Sequence, residues 1–315
     1  WEAGVAVASA YPGTPSTEIL ENFARYPNVY AEWASNEKVA LDAAIGAAYA
    51  RVRALATMKH VGLNVAADSF MYAAYTGAEA GLVVVSADDP AMHSSQNEQD
   101  NRTFAKFARV PCLEPSDSQQ AKDLTIAAFG LSERFDTPVL LRLTTRICHS
   151  QSAVELGERV DVGDGAPKPF VRNIPKYVMV PGNAIKRHPV IEQRVLELAR
   201  LAETFPYNVT EPGDRALGII TAGIAYQYAK EVFPTASILR LGMTWPLPEG
   251  LIKQFAASVD RLIVIEELDP FIEEAVRLMG VKVEGKSIFP LLGELDPRVV
   301  RESAIAAGLL TAEAH

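Results

Sequence analysis

Cysteine is nearly absent from the sequence, with only Cys112 and Cys148 among 315 residues. That excludes a disulfide framework, a four-thiolate iron–sulfur site and a zinc ribbon within this stretch. It also points to a reducing, cytoplasmic setting. Histidine is sparse, five scattered residues, so no metal-ligand set is expected. Excess positive charge is missing too: 30 basic against 39 acidic residues leave a net charge of −9. A sequence-independent grip on nucleic acid or an anionic membrane is therefore not expected. The densest apolar region, 61–87, is broken by Asn64, Asp68 and Glu79, so no membrane span is expected either. No charged-then-apolar leader opens the sequence at Trp1. The phosphate-cradling Walker loop, the nucleophile elbow, His-Glu-x-x-His and Cys-x-x-Cys are all lacking.

What is present is an ordinary globular composition, 49% hydrophobic and 22% charged, long enough for about two domains. Short apolar runs alternate with amphipathic stretches, the pattern of α/β units built on parallel sheets. The first half predicts strands over 5–10, 29–33, 54–58, 82–86 and 139–144, with helices over 16–26, 36–52 and 116–135. The runs at 82–85 and 139–141 are continuously apolar, as in strands covered on both faces. The stretch 157–187 carries Gly163-Asp164-Gly165 and several prolines with little periodicity, and reads as a connector. A periodic helix is predicted over 190–205. A second series follows: strands over 216–221, 237–241 and 262–266, and helices over 224–232, 248–257 and 270–279. The predicted division is a first α/β domain over 1–155, a connector over 156–190 and a second α/β domain over 191–315.

In parallel sheets, ligands bind beyond the carboxyl ends of the strands. Here those ends carry polar sequence. The first runs into Tyr11-Pro12-Gly13-Thr14-Pro15-Ser16-Thr17, the second into Ser35-Asn36-Glu37 and the third into Lys59-His60-Val61-Gly62-Leu63-Asn64. The fourth opens into 87–102, which contains Asp88, Asp89, His93, Ser94, Ser95, Gln96 and Asp100. The first two have an ordinary reading as helix starts, with Pro15 at a first helical position, Ser35 or Asn36 as a cap, and Glu37 favoured by the helix dipole. The long fourth loop is unusual in a compact domain, and such loops usually carry function. Glu266-Glu267 at a later strand end reads equally as functional or as helix-start charge.

These loops resemble one family specifically. Tyr11-Pro12-Gly13-Thr14-Pro15-Ser16-Thr17-Glu18-Ile19 is similar to the opening of the 2-oxoacid:ferredoxin oxidoreductases. Asn36-Glu37-Lys38-Val39-Ala40, the run from Met58 to Asp68 and the run from Asp88 to Arg102 resemble the alpha subunits of the indolepyruvate type. Leu241-Gly242-Met243-Thr244-Trp245-Pro246-Leu247-Pro248 and the run from Val264 to Glu274 resemble that family's transketolase-C-terminal-like domain.

The resemblance implies a pyrimidine-binding domain of the thiamine-diphosphate fold followed by that second domain. It implies oxidative decarboxylation of an aryl 2-oxoacid to an acyl-coenzyme A and carbon dioxide, with ferredoxin reduced. Glu37 is then the acid that bonds the cofactor's aminopyrimidine nitrogen and favours the tautomer able to take the thiazolium proton. A carboxyl can donate there only in its protonated form, which a dry cleft favours. Tyr11, Pro12, Gly13, Thr14, Gly62, Leu63 and Asn64 are the further cofactor contacts implied. Thr14, Lys59, His60, His93, Ser94, Ser95 and Gln96 are implied to line the substrate pocket, with a structural role as open for His60 and His93 as a proton-donating one.

Gly163-Asp164-Gly165 resembles half of the family's diphosphate motif, but it follows no strand and opens no helix. Mg²⁺ and the diphosphate are therefore expected from another domain or chain. The [4Fe-4S] clusters are expected elsewhere in a complex with a smaller beta- or gamma-type subunit, in a dimeric assembly. Alternative readings are another 2-oxoacid (pyruvate, branched-chain, phenylglyoxylate) or a non-catalytic scaffold.

Overall fold

The computed structural model describes residues 1–160 and 170–311; Gly163-Asp164-Gly165 lies outside the described residues. The first half supplies strands β1 (Val7–Ala10), β2 (Tyr30–Trp33), β3 (Ala54–Lys59), β4 (Leu82–Asp88), β5 (Cys112–Leu113) and β6 (Val139–Thr144). The second half supplies β7 (Val209–Glu211), β8 (Asp214–Ala222), β9 (Ala236–Leu241), β10 (Met243–Trp245) and β11 (Leu262–Ile265). They form a seven-stranded sheet, β10-β5-β6-β4-β3-β1-β2, and a four-stranded sheet, β11-β8-β9-β7. Every neighbouring pair is parallel except the edge pairs β10–β5 and β7–β9. The fold class is thus α/β with two largely parallel sheets.

Helices α1 (Thr17–Phe23), α2 (Glu37–Tyr49), α3 (His60–Val65), α4 (Ala67–Thr76), α5 (Arg102–Ala108) and α6 (Ser118–Phe135) serve the first sheet. Residues of β3, β4 and β6 are buried along their whole length, because both sheet faces are covered. On one face Leu20 and Phe23 of α1 and Leu124, Ala128 and Phe129 of α6 pack against Val83, Val85 and Leu141. On the other, Leu41, Ala44 and Ala48 of α2, Leu63 of α3, Phe70 of α4 and Ala105 of α5 pack against Ala56, Met58 and Val84. The small residues of α2 let it lie close on β1 and β3, and the Asn36 side chain caps it by accepting from the Val39 N–H at 3.0 Å.

After β6 come α7 (Thr145–His149), α8 (Ile174–Tyr177), α9 (Pro181–Ala202), α10 (Ala225–Val232), α11 (Glu249–Ala257), α12 (Phe271–Leu278) and α13 (Pro297–Ala306). The helix expected at 190–205 begins at Pro181, inside the stretch read as an aperiodic connector, with a proline in its first turn. Its Leu198 and Ala202 join the core of the first sheet, and the buried Arg194 donates to the carbonyls of Asp136 and Ala74, each at 2.8 Å. Around the second sheet, α10 and α13 cover one face and α11 and α12 the other.

Candidate active site at the strand ends

Because β1, β3, β4 and β6 run parallel, their following loops meet at one edge of the sheet. The first loop closes on itself: the Gly13 N–H donates to the Thr17 hydroxyl at 3.0 Å, and the Ser16 hydroxyl donates to the Gly13 carbonyl at 2.8 Å. The helix starts only at Thr17, so Pro15 lies before it and not at its first position, a correction to the sequence reading. Tyr11, Pro12 and Thr14 are exposed. A Cβ on Gly13 would stand 3.2 Å from the Lys59 Cβ, so the loop lies directly over the end of β3.

The third polar stretch is not a loop. It is the short helix α3, which begins immediately after β3 with Lys59 in extended conformation before it. The helix sends its residues in three directions. Leu63 is fully buried in the core under α2, Asn64 is exposed, and Gly62 faces α2. There a Cβ on Gly62 would lie 2.6 Å from both Cγ and Oε1 of Glu37. The absent side chain thus leaves the Glu37 carboxyl room against the α3 backbone, at the first residue of α2.

His60 is fully buried. Burial lowers its proton affinity against a weaker opposing pull from the Asn97 carbonyl, so it is neutral near pH 7. Its Nε2 lies 3.1 Å from the Asn97 carbonyl oxygen, and its own carbonyl accepts from Asn101 Nδ2 at 3.0 Å. It acts as a strut between α3 and the 88–102 loop.

Within that loop Asp89 is the hub. It accepts from the N–H groups of His93 at 3.2 Å and Ser94 at 2.9 Å, from the Thr145 hydroxyl at 2.9 Å and from the Ser95 hydroxyl. Burial pushes its carboxyl up, but these donors outweigh burial and hold it below the usual carboxylate range. Lys59 Nζ donates to the Ser94 carbonyl at 2.7 Å, and the Ser94 hydroxyl reaches the Thr14 carbonyl at 3.5 Å. Thr14, Lys59, Ser94 and Ser95 are thereby brought together. His93 is half-exposed and turns toward Glu294 of the second half, 3.2 Å from its Oε2, while Gln96 is exposed on the loop surface.

The same loop ends in a buried ionic seam that sequence reasoning did not assemble. Arg102 is 1% exposed. Its Nε donates to Asp100 at 2.9 and 3.0 Å, and its Nη1 to Glu266 Oε2 at 2.6 Å. Its Nη2 donates to Asp100 and to the carbonyls of Glu267 and Asp269. Glu266 in turn accepts from the first N–H groups of α12. Beside it Arg142 bridges Asp88 at 2.8 Å and Glu114 at 2.6 Å. The Asp88 carboxyl is pushed by burial up to about 6 and the Glu267 carboxyl up to about 7, against the opposing pull of Arg142. Asp100 is held below its ordinary value, because Arg102 and Arg142 outweigh its burial. The available signal was Arg142, a lone charge inside a strand otherwise apolar at 139–141, since such a charge must be paired.

Comparisons with known proteins identify the family of this chain. Residues 1–200 match the family model described as "Pyruvate flavodoxin/ferredoxin oxidoreductase, thiamine diP-bdg". The indolepyruvate oxidoreductase subunit IorA of Pyrococcus horikoshii is 42% identical over 94% of this chain and 49% of its own length. The protein of the same name from Methanothermobacter thermautotrophicus is 45% identical over 94% of this chain and 48% of its own length. The chain therefore spans about half the length of the curated relatives it matches. Among solved structures, a 2-oxoglutarate:ferredoxin oxidoreductase from Magnetococcus marinus superposes with a TM-score of 0.73 at 16% identity, covering 96% of this chain and 62% of that one. That likeness speaks for the fold.

Proposed function

Since this chain belongs to the thiamine-diphosphate-binding family of the pyruvate flavodoxin/ferredoxin oxidoreductases, we propose that it is the pyrimidine-binding part of an oxidoreductase acting on aryl 2-oxoacids of the indolepyruvate type. The observation that carries this reading is Glu37, placed by the cap of α2 against the bare backbone of Gly62 at the edge where the β1 and β4 loops meet. A half-buried carboxyl walled on one side by backbone suits a hydrogen bond to a planar ring nitrogen, and a side chain at Gly62 would crowd it.

Thiamine diphosphate, when bound, supplies the electron sink for decarboxylation of a 2-oxoacid. Glu37 would hold a proton on its carboxyl toward the aminopyrimidine. The 11–14 turn and Gly62 would shape the ring's pocket, with Leu63 supporting α3 from the core and Asn64 at the outer end. Thr14, Lys59, Ser94 and Ser95 would face the substrate, His93 and Gln96 would edge the pocket, and His60 would fix the loop. No group of three or more His, Cys, Asp or Glu side chains among the described residues is arranged to hold a metal ion. On the sequence resemblance we assign Mg²⁺, the diphosphate and the [4Fe-4S] clusters to parts of the enzyme outside these residues.

The functional division we adopt is 1–155, 156–190 and 191–315, although β10 and the end of α9 pack back onto the first sheet. The reading extends to a smaller partner subunit, a dimeric assembly, coenzyme A as acyl acceptor, ferredoxin as electron acceptor and a cytoplasmic location. No helix among the described residues is long and apolar enough to cross a membrane.

The experiment is cofactor and metal analysis of the native complex containing this subunit, followed by ferredoxin reduction assayed with a panel of 2-oxoacids and coenzyme A. Bound thiamine diphosphate and the fastest turnover with indolepyruvate are expected. A complex without thiamine diphosphate would overturn the reading in favour of a scaffold.

A further inference from the structure

Three cations beside the candidate site, Lys59, Arg102 and Arg142, are almost sealed from solvent, and the two arginines have anions. Arg102 is ion-paired to Asp100 and Glu266. Lys59 is 9% exposed, and its Nζ reaches only the Ser94 carbonyl at 2.7 Å and the Ser94 hydroxyl at 3.4 Å. Both acceptors are neutral, and Lys59 makes no ion pair among the described residues. Asp89 acts on it through space, but its oxygens are already occupied by donors from His93, Ser94, Ser95 and Thr145. Burial accordingly weakens the hold of the ammonium on its proton.

An ammonium kept this dry is costly unless an anion is supplied, and it carries three donors of which Ser94 uses two at most. Its position is at the edge where the strand-end loops gather. Lys59 ends β3, lies beneath Gly13, and leads into the helix whose Gly62 faces Glu37.

We propose that Lys59 Nζ is the anchor for the carboxylate of the 2-oxoacid substrate. This rests on the function proposed above and deepens it: the site selects for a charged carboxylate through one ammonium point charge, not through a bidentate guanidinium.

The test uses the complete enzyme, with indoleacetate and the neutral indoleacetamide as probes. The wild type should be inhibited at least ~10-fold more strongly by the acid than by the amide, equivalent to ~1.4 kcal/mol. Lys59→Met should abolish that preference and raise KM for indolepyruvate at least ~10-fold with a smaller change in kcat, and Lys59→Arg should retain part of the preference. A role confined to holding Ser94 would leave the charge preference unmoved.

A second measurement needs no variant. Indoleacetate should raise the melting temperature of the complete enzyme more than indoleacetamide does. An active enzyme in which Lys59→Met keeps the charge preference, or in which the two probes shift the melting temperature equally, overturns the anchor alone. A complex with no 2-oxoacid-dependent activity and no selective shift overturns the functional reading and the anchor with it.

Discussion

The 88–102 loop has two parts with opposite chemistry. At its two ends, Asp88, Asp100 and Arg102 join Arg142, Glu114 and Glu266, and the charges are met from within the chain. In its middle, Lys59 reaches the neutral carbonyl and hydroxyl of Ser94 and makes no ion pair among the described residues. The first region holds the two halves of the molecule together, since Arg102 reaches the turn between β11 and α12. The second leaves charge and donors free for a ligand. Buried charges that are paired internally report on stability, and those left with neutral partners report on function.

The largest effect that would sharpen this contrast is at the seam. Arg102→Met leaves Asp100 and Glu266 buried without their partner, which costs about 3–5 kcal/mol for a broken buried pair. The urea midpoint of the intact subunit should fall accordingly, and an unchanged midpoint would break the distinction between the two regions.

Next in size is the pH response of Glu267, whose folded value is raised from 4.5 to about 7. A raised carboxyl favours folding below its unfolded value and loses that contribution as pH climbs through the folded one. Glu267→Gln should therefore be more stable than the wild type at pH 8, on the order of 2 kcal/mol, with the gap closing below about pH 4.5. Thermal melts across that range read it directly.

Smaller again is Gly62→Ala. The new Cβ displaces a half-buried, flexible Glu37 side chain and not backbone, so the melting temperature should hardly move. Turnover should drop roughly 10-fold, or about 1.4 kcal/mol, through misplacement of the carboxyl.

The strands that face both cores were legible because their runs are long and apolar; β6 spans Val139–Thr144, as expected. The two-residue β5 and the three-residue β7 and β10 carry too little pattern for periodicity to register. The antiparallel pairing of β10 with β5 joins residues far apart in sequence. Helix α3 was missed for the same reason: it has six residues, and Gly62 and Asn64 read as loop formers when they are respectively a contact for Glu37 and an exposed position. Helix α13 offered a signal that went unused, because Asp296 caps it by accepting from the Val299 N–H at 2.7 Å, with Pro297 in its first turn.

At the candidate site, Glu37 and the loop residues were named from motif resemblance, and the geometry then separated them by direction. The seam was illegible because its members come from β4, its loop, β6, the end of β5 and the end of β11. No local pattern brings those five places together.

The most direct test of the central claim is the turnover of the complete enzyme carrying Glu37→Gln, with thiamine diphosphate saturating and folding checked by its melting temperature. Glu37 as the acid toward the aminopyrimidine predicts a fall of at least ~10²-fold, the lower range for loss of a general acid–base group. Near-normal turnover in a cofactor-loaded Glu37→Gln enzyme would contradict it.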